Sequence, residues 1–302
     1  MYSESMAMSE IVNKQINQQG AAPFPLVAIR QSIKAMALVS NDLAAKWVNH
    51  LWFKTGAKAI KKEHYQWIKQ ADVSYLTVDE ETVPVYRWGA GPTILFVHGW
   101  SGFGAQVTPM AKYLVAKGYE VIAFDGPGHG DASGKSANLV QFEKIITQLD
   151  KQIGVPYNLV AHSIGSIASV SAIVKGANVK SLTLVGAPIS MDYCVEYFQA
   201  QLDLPEKVVA KNRGLIEQKF GDHVWHRFGI DKAGAHLELP TLLIHDKKDK
   251  QVDVSNTQKL LKKWPHAESL LTEGLGHNRT LADAKTIKTI EQFVEKIQGG
   301  DA

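Results

Sequence analysis

The chain has 302 residues, 45% of them hydrophobic and 21% charged, enough to bury the core of one large α/β domain or two smaller ones. Lys and Arg together number 33 against 30 for Asp and Glu, a net +3, which gives no electrostatic basis for nucleic acid as a main partner. Cys194 is the single cysteine, so an intrachain disulfide and a four-cysteine zinc site are both excluded.

The positive excess lies at the beginning, where residues 1–75 hold nine basic side chains, Lys14 to Lys69, against five acidic ones. Met1–Gln19 is polar and lacks an apolar signal core, and no run of 18 apolar residues follows anywhere. The expected location is therefore the cytoplasm, with no membrane span. From Pro25 to about Ile68 the apolar residues recur at helical spacing, among them Leu26, Ile29, Ile33, Ala44, Val48 and Leu51. Gly56 is expected to interrupt this stretch, with a short helix over Lys58–Lys69. Residues 1–73 thus read as an N-terminal helical extension. Three roles are open to it: packing on the main domain, contact with anionic lipid, or joining of subunits. Packing is the plainest, since Trp47, Leu51, Trp52 and Phe53 exceed the needs of a solvated face. Nothing in the sequence speaks to oligomeric state.

After residue 73 the period changes. Ser74–Val78 and Val83–Trp88 read as a hairpin joined by Asp79-Glu80-Glu81. Six β-branched apolar runs follow: Thr93–Val97, Glu120–Phe124, Tyr157–Ala161, Ser181–Val185, Thr241–His245 and Glu268–Leu271. Helical stretches separate them, near Val107–Lys117, Asn138–Ile153, Ile164–Lys175 and Thr257–Lys263, and a last helix covers about Ala282–Ile297. Doubly buried strands alternating with helices mean βαβ units and an eight-stranded, mostly parallel sheet. Between Pro188 and Leu239 about fifty residues show only short helices. This insertion, about 189–239, is expected to cap the carboxyl ends of the strands, where open α/β sheets bind ligands. Its Phe198, Leu202, Leu204, Val208, Leu215 and Trp225 could line a pocket for a short or medium acyl group, or simply hold the cap in place.

The chemistry centres on Ala161-His162-Ser163-Ile164-Gly165, between a strand and a helix. Small residues two places either side of the serine allow a turn sharp enough to expose its Oγ. The helix amino terminus also points positive charge at a developing oxyanion. His98-Gly99-Trp100 ends the strand Thr93–Val97, and the Trp100 N–H is expected to join the Ile164 N–H in an oxyanion hole. Asp246-Lys247-Lys248-Asp249 follows one late strand, and Gly274-Leu275-Gly276-His277 follows the next. His277 is placed to take the proton of Ser163. Asp249, deeper in its loop than Asp246, is preferred as the acid that orients the imidazole. His98 and His162 are expected to give supporting hydrogen bonds, and Cys194 a packing role.

From about Ser74 onward the chain resembles the α/β-hydrolase superfamily. The marks are the turn around Ser163, His98-Gly99-Trp100, Asp125-Gly126-Pro127-Gly128-His129-Gly130, Asp249 and Gly276-His277. Ala161 stands where most members carry Gly. The resemblance implies a serine hydrolase domain over 74–302 that cleaves a small-molecule acyl ester and needs no metal or organic cofactor. Thioesters, amides and a non-catalytic binding protein that keeps the fold are the alternatives.

Overall fold

A computed structural model describes residues 11–13, 15, 16, 23–56 and 60–299. The chain divides into two compact units, one holding Met1–Lys54 with Ser190–Gly229 and the other Thr55–Ile189 with Ile230–Ala302. The boundary between the units falls near residue 54, so the helix Lys62–Ile68 belongs to the second.

In the helical unit, α1 (Phe24–Val39) and α2 (Asn41–Phe53) are separated by extended Ser40, whose side chain accepts from the Leu43 N–H. An N-cap serine satisfies an orphan donor of the new helix, so the break falls there and not first at Gly56. The two helices share an apolar core with the inserted segment: Ile33, Ala44 and Val48 pack with Leu202 and Val208, and Phe198, Leu204 and Leu215 add to it. Those inserted residues are thereby engaged in holding this unit together. The insertion supplies α3 (Met191–Gln201), capped by the Ser190 side chain, and α4 (Glu206–Phe220). Trp225 lies under the Arg213 guanidinium and donates from Nε1 to Glu217.

The second unit is built on one sheet ordered β1-β2-β4-β3-β5-β6-β7-β8. Its strands are β1 (Asp72–Val78), β2 (Glu81–Trp88), β3 (Thr93–Val97), β4 (Glu120–Phe124), β5 (Tyr157–His162), β6 (Val179–Val185), β7 (Thr241–Asp246) and β8 (Glu268–Thr272). β1 and β2 run antiparallel to each other, and β2 runs antiparallel to β4; the remaining pairs are parallel. Asp79 and Glu80 both have positive φ, 49° and 72°, so two residues close the hairpin and Glu81 already belongs to β2. Strands β3 and β5 to β7 are buried along their apolar lengths, and Trp88, Ile94, Phe96, Val160, Ile244 and Phe293 share a core on one side of the sheet.

The chain leaves β3 toward β4 on one side and continues beyond β5 on the other. The order therefore reverses between β3 and β5, and such a switch point opens a crevice at the strands' carboxyl ends. Asp125, immediately after β4, secures one wall of it. Its carboxylate accepts from the Gly104 N–H at 2.6 Å, the Asp131 N–H at 2.8 Å and the Tyr86 hydroxyl at 2.8 Å. Burial pushes its pKa up to about 6, against the pull of those donors. Truncation by Asp125→Ala strands three donors, two of them backbone, and is expected to lower unfolding free energy by about 3 kcal/mol in a urea titration. A loss under about 1 kcal/mol would show that water replaces the carboxylate.

Candidate active site

The serine lies in the turn from β5 into the helix Gly165–Val174. Ser163 has φ of 54°, a left-handed conformation that side-chain-bearing residues adopt at a cost and that persists only where the surroundings impose it. Two contacts impose it here. The Ser163 N–H donates to the Val185 carbonyl at 2.9 Å, anchoring the turn to β6. On the other side the β3 turn presses close: a Cβ at Gly99 would come within 2.7 Å of the Ser163 Cβ, and one at Gly165 within 2.5 Å of the His98 carbonyl. Glycine is required at both places because a Cβ would collide with the Ser163 Cβ at one and the His98 carbonyl at the other.

His277 lies on a short helix, Gly276–Arg279, beyond β8, and is buried. Its Nδ1 meets the Asp249 Oδ2 at 2.6 Å. The neighbouring Gly186 joins these groups to the serine turn, since a Cβ there would be 3.2 Å from the His277 ring and 3.5 Å from Asp249 Oδ2. Ser163, His277 and Asp249 are thus gathered around the Val185–Gly186 backbone at one end of the sheet. Burial opposes the charge on Asp249. Hydrogen bonds from His245 and His277, the electrostatic attraction of the His277 ring and the Val252 N–H outweigh it, and the carboxyl is held well below the usual carboxylate range. Nδ1 therefore carries the imidazole proton, and Nε2 is the nitrogen with a free lone pair.

Asp246 is committed elsewhere. It accepts from the Thr272 hydroxyl at 2.9 Å, the Leu275 N–H at 2.9 Å and the Gly274 N–H at 3.2 Å, and so fixes the loop leading into His277.

Two histidines brace the turns. His98 donates from Nδ1 to the Gly99 carbonyl at 2.7 Å, and its Nε2 accepts from the Gly126 N–H at 2.9 Å. Full burial, with His129 as neighbour, holds its pKa well below the ordinary value, which suits a neutral ring with one donor and one acceptor. His162 donates from Nε2 to the His277 carbonyl at 3.0 Å, and its ring centroid lies 4.6 Å from that of His277. Burial and the adjacent His277 lower its pKa to about 3.

Trp100 and Ile164 flank the serine, both partly exposed. Among the described residues neither backbone N–H donates to another group. Ser101 follows with φ of 56°, so the β3 turn is itself held in a costly conformation.

His245 escaped the sequence reading. It is fully buried at the end of β7, contacts the Thr257 hydroxyl at 2.6 Å and the Val252 carbonyl at 2.9 Å, and comes within 3.5 Å of Asp249 Oδ2. Its position four residues before Asp249 was the available signal, but a strand-to-loop path gives that spacing no fixed geometry.

Residues 92–224 match the family described as alpha/beta hydrolase fold. Monoacylglycerol lipase abhd6-B of Xenopus laevis is 24% identical over 265 residues, covering 70% of this chain and 78% of the relative. Alpha/beta hydrolase domain-containing protein 17C of Xenopus tropicalis is also 24% identical, covering 75% of this chain and 74% of its own. Among solved structures, an esterase from Pyrococcus furiosus superposes with TM-score 0.61 at 16% identity, covering 81% of this chain and 98% of its own. A putative lipase from Acinetobacter baumannii gives TM-score 0.60 at 19% identity, with 81% and 100% covered.

Because the Asp249 pKa is depressed on folding, its stabilisation is fully present above the ordinary carboxylate pKa of about 3.9 and is lost as pH falls below it. The stability deficit of Asp249→Asn, read from urea midpoints, is expected to stay constant from about pH 8 to 5 and to shrink below about pH 4. A deficit that grows on acidification would contradict the assigned charge.

Proposed function

We propose that this chain, whose residues 92–224 match the alpha/beta hydrolase fold family, acts as a serine hydrolase of carboxylic esters, with Ser163, His277 and Asp249 as its triad. The observation that carries this reading is the buried 2.6 Å contact between His277 Nδ1 and Asp249, made where the strained Ser163 turn meets β6. An ionised carboxylate locks the tautomer that leaves Nε2 available as a base, and it stabilises the imidazolium that forms.

Ser163 Oγ attacks the ester carbonyl as its proton passes to His277 Nε2. The Trp100 and Ile164 N–H groups, which donate to no protein group among the described residues, hold the negative oxygen of the tetrahedral intermediate. His277 returns the proton to the leaving alkoxide and the ester C–O bond breaks, leaving an acyl group on Ser163. Water then attacks that acyl group, giving its proton to His277. Collapse of the second intermediate returns this proton to Ser163 Oγ and frees the carboxylic acid. Relatives named monoacylglycerol lipase support a fatty-acyl ester as the substrate class.

Wild-type protein is expected to be labelled by a fluorophosphonate and to hydrolyse chromogenic acyl esters, while Ser163→Ala does neither. Labelling that persists in Ser163→Ala, or is missing from folded wild type, refutes the assignment. Faster turnover of matched thioesters or amides would keep the mechanism and change the substrate class.

His162 is a positioning residue in this scheme, holding the backbone of His277. His162→Leu is expected to lower kcat by about a hundredfold and to shift the acidic limb of its pH profile with KM little changed. His162→Gln, which retains a donor, recovers part of the rate. Wild-type kinetics in the leucine variant would rule that role out.

A further inference from the structure

Helix α1 is apolar on both sides. Its inward residues Leu26, Ile29, Ile33 and Met36 pack into the core of the helical unit. Outward, Phe24, Val27, Ala28, Ala35 and Leu38 form a stripe at helical spacing, interrupted only by the uncharged Gln31 and Ser32. Phe24 is 84% exposed, Leu38 91% and Val39 83%. On α2, Leu43 and Trp47, one turn apart, are 56% and 40% exposed. The outer face of a surface helix ordinarily carries charge, and a contiguous apolar stripe marks a surface that something covers.

Charge selects the occupant. Between Pro23 and Gly56 the only carboxylate is Asp42, against Arg30, Lys34, Lys46 and Lys54. Asp42 is engaged by Lys211 at 2.7 Å. Arg30 donates to the Gln201 carbonyl and Lys34 pairs with Asp203, which keeps both cations on the flank of the stripe. A second copy meeting this face about a twofold axis would bring the same cations against their equivalents, an unfavourable pairing. An anionic lipid surface complements both the apolar stripe and its basic border. The 16 residues of α1 extend about 24 Å, short of a hydrocarbon layer of about 30 Å. Among the described residues no helix is long and apolar enough to cross a membrane.

We propose that the outward face of α1, with Leu43, Lys46 and Trp47 on α2 and Lys54 at its end, docks this protein flat on an anionic lipid surface. Phe24, Leu38, Val39, Leu43 and Trp47 enter the boundary between headgroups and acyl chains, and Lys46 and Lys54 meet lipid phosphates. This surface stands on its own and does not depend on the catalytic assignment.

The test is sedimentation of the full chain with vesicles of phosphatidylcholine alone or mixed equally with phosphatidylglycerol. Binding is expected to the mixed vesicles, weakening with salt. It is expected to fall about tenfold or more in Leu38→Glu/Leu43→Glu and in Lys46→Glu/Lys54→Glu. Both variants should keep the wild-type circular dichroism melt and the wild-type rate on a soluble short-chain ester. Failure of wild type to bind the mixed vesicles, or binding indifferent to these substitutions, overturns the proposal. So does a dimer in sedimentation velocity that Leu38→Glu/Leu43→Glu dissociates. Vesicle binding without hydrolysis of any ester would sink the catalytic reading and leave the docking surface intact.

Discussion

The candidate active-site end of this protein depends on one buried carboxylate kept charged. Asp249 accepts from His277 and from the Gln251 and Val252 N–H groups, and His245 stands close to its Oδ2. An isolated ion at that depth would neutralise by taking up a proton, so these partners must be in place before the charge is tolerable. Each partner belongs to a loop or a strand end, and satisfying the carboxylate therefore arranges the carboxyl ends of β7 and the segment after β8. The proton left on His277 Nδ1 follows directly from that arrangement.

A second constraint is steric. The β3 and β5 turns approach so closely that a Cβ at Gly99 or Gly165 would collide with Ser163 or the His98 carbonyl, and the positive φ of Ser163 is the conformation that fits the space left. Three buried histidines use both ring nitrogens or one of them to tie such turns together. His98 joins the turn after β3 to the one after β4, His245 spans the loop after β7, and His162 reaches the backbone of His277. Imidazole suits this work because it offers a donor and an acceptor on opposite edges of one small ring. Low polarity around His98 and His162 keeps those rings neutral and their roles fixed.

The helical unit follows a different logic. Its core joins residues near the amino terminus to an insertion more than 140 positions later, so neither segment has a complete core alone. Its exposed side keeps apolar residues outward where a solvated helix would not. Apolar residues occupy both its buried and its exposed side, and this is why periodicity over Pro25–Leu51 could not separate packing from surface contact.

The sequence alone determined the parallel sheet, its eight strands, the turn around Ser163 and the segments bearing Asp249 and His277. These are local signals: runs of β-branched residues, small residues around a serine, and acids or histidines just past a strand. The break at Ser40 was equally local but competed with a helical period that runs straight through it. Loop position favoured Asp249 over Asp246 as the acid, and tertiary structure decided which donors surround each: His277 meets Asp249, while Asp246 accepts from Thr272, Gly274 and Leu275. It also decided that Phe198, Leu202 and Val208 serve the core of the helical unit, and that His245 borders the acid. Contacts between distant segments depend on how strand ends and helices are brought together in three dimensions, and no spacing along a chain encodes that distance.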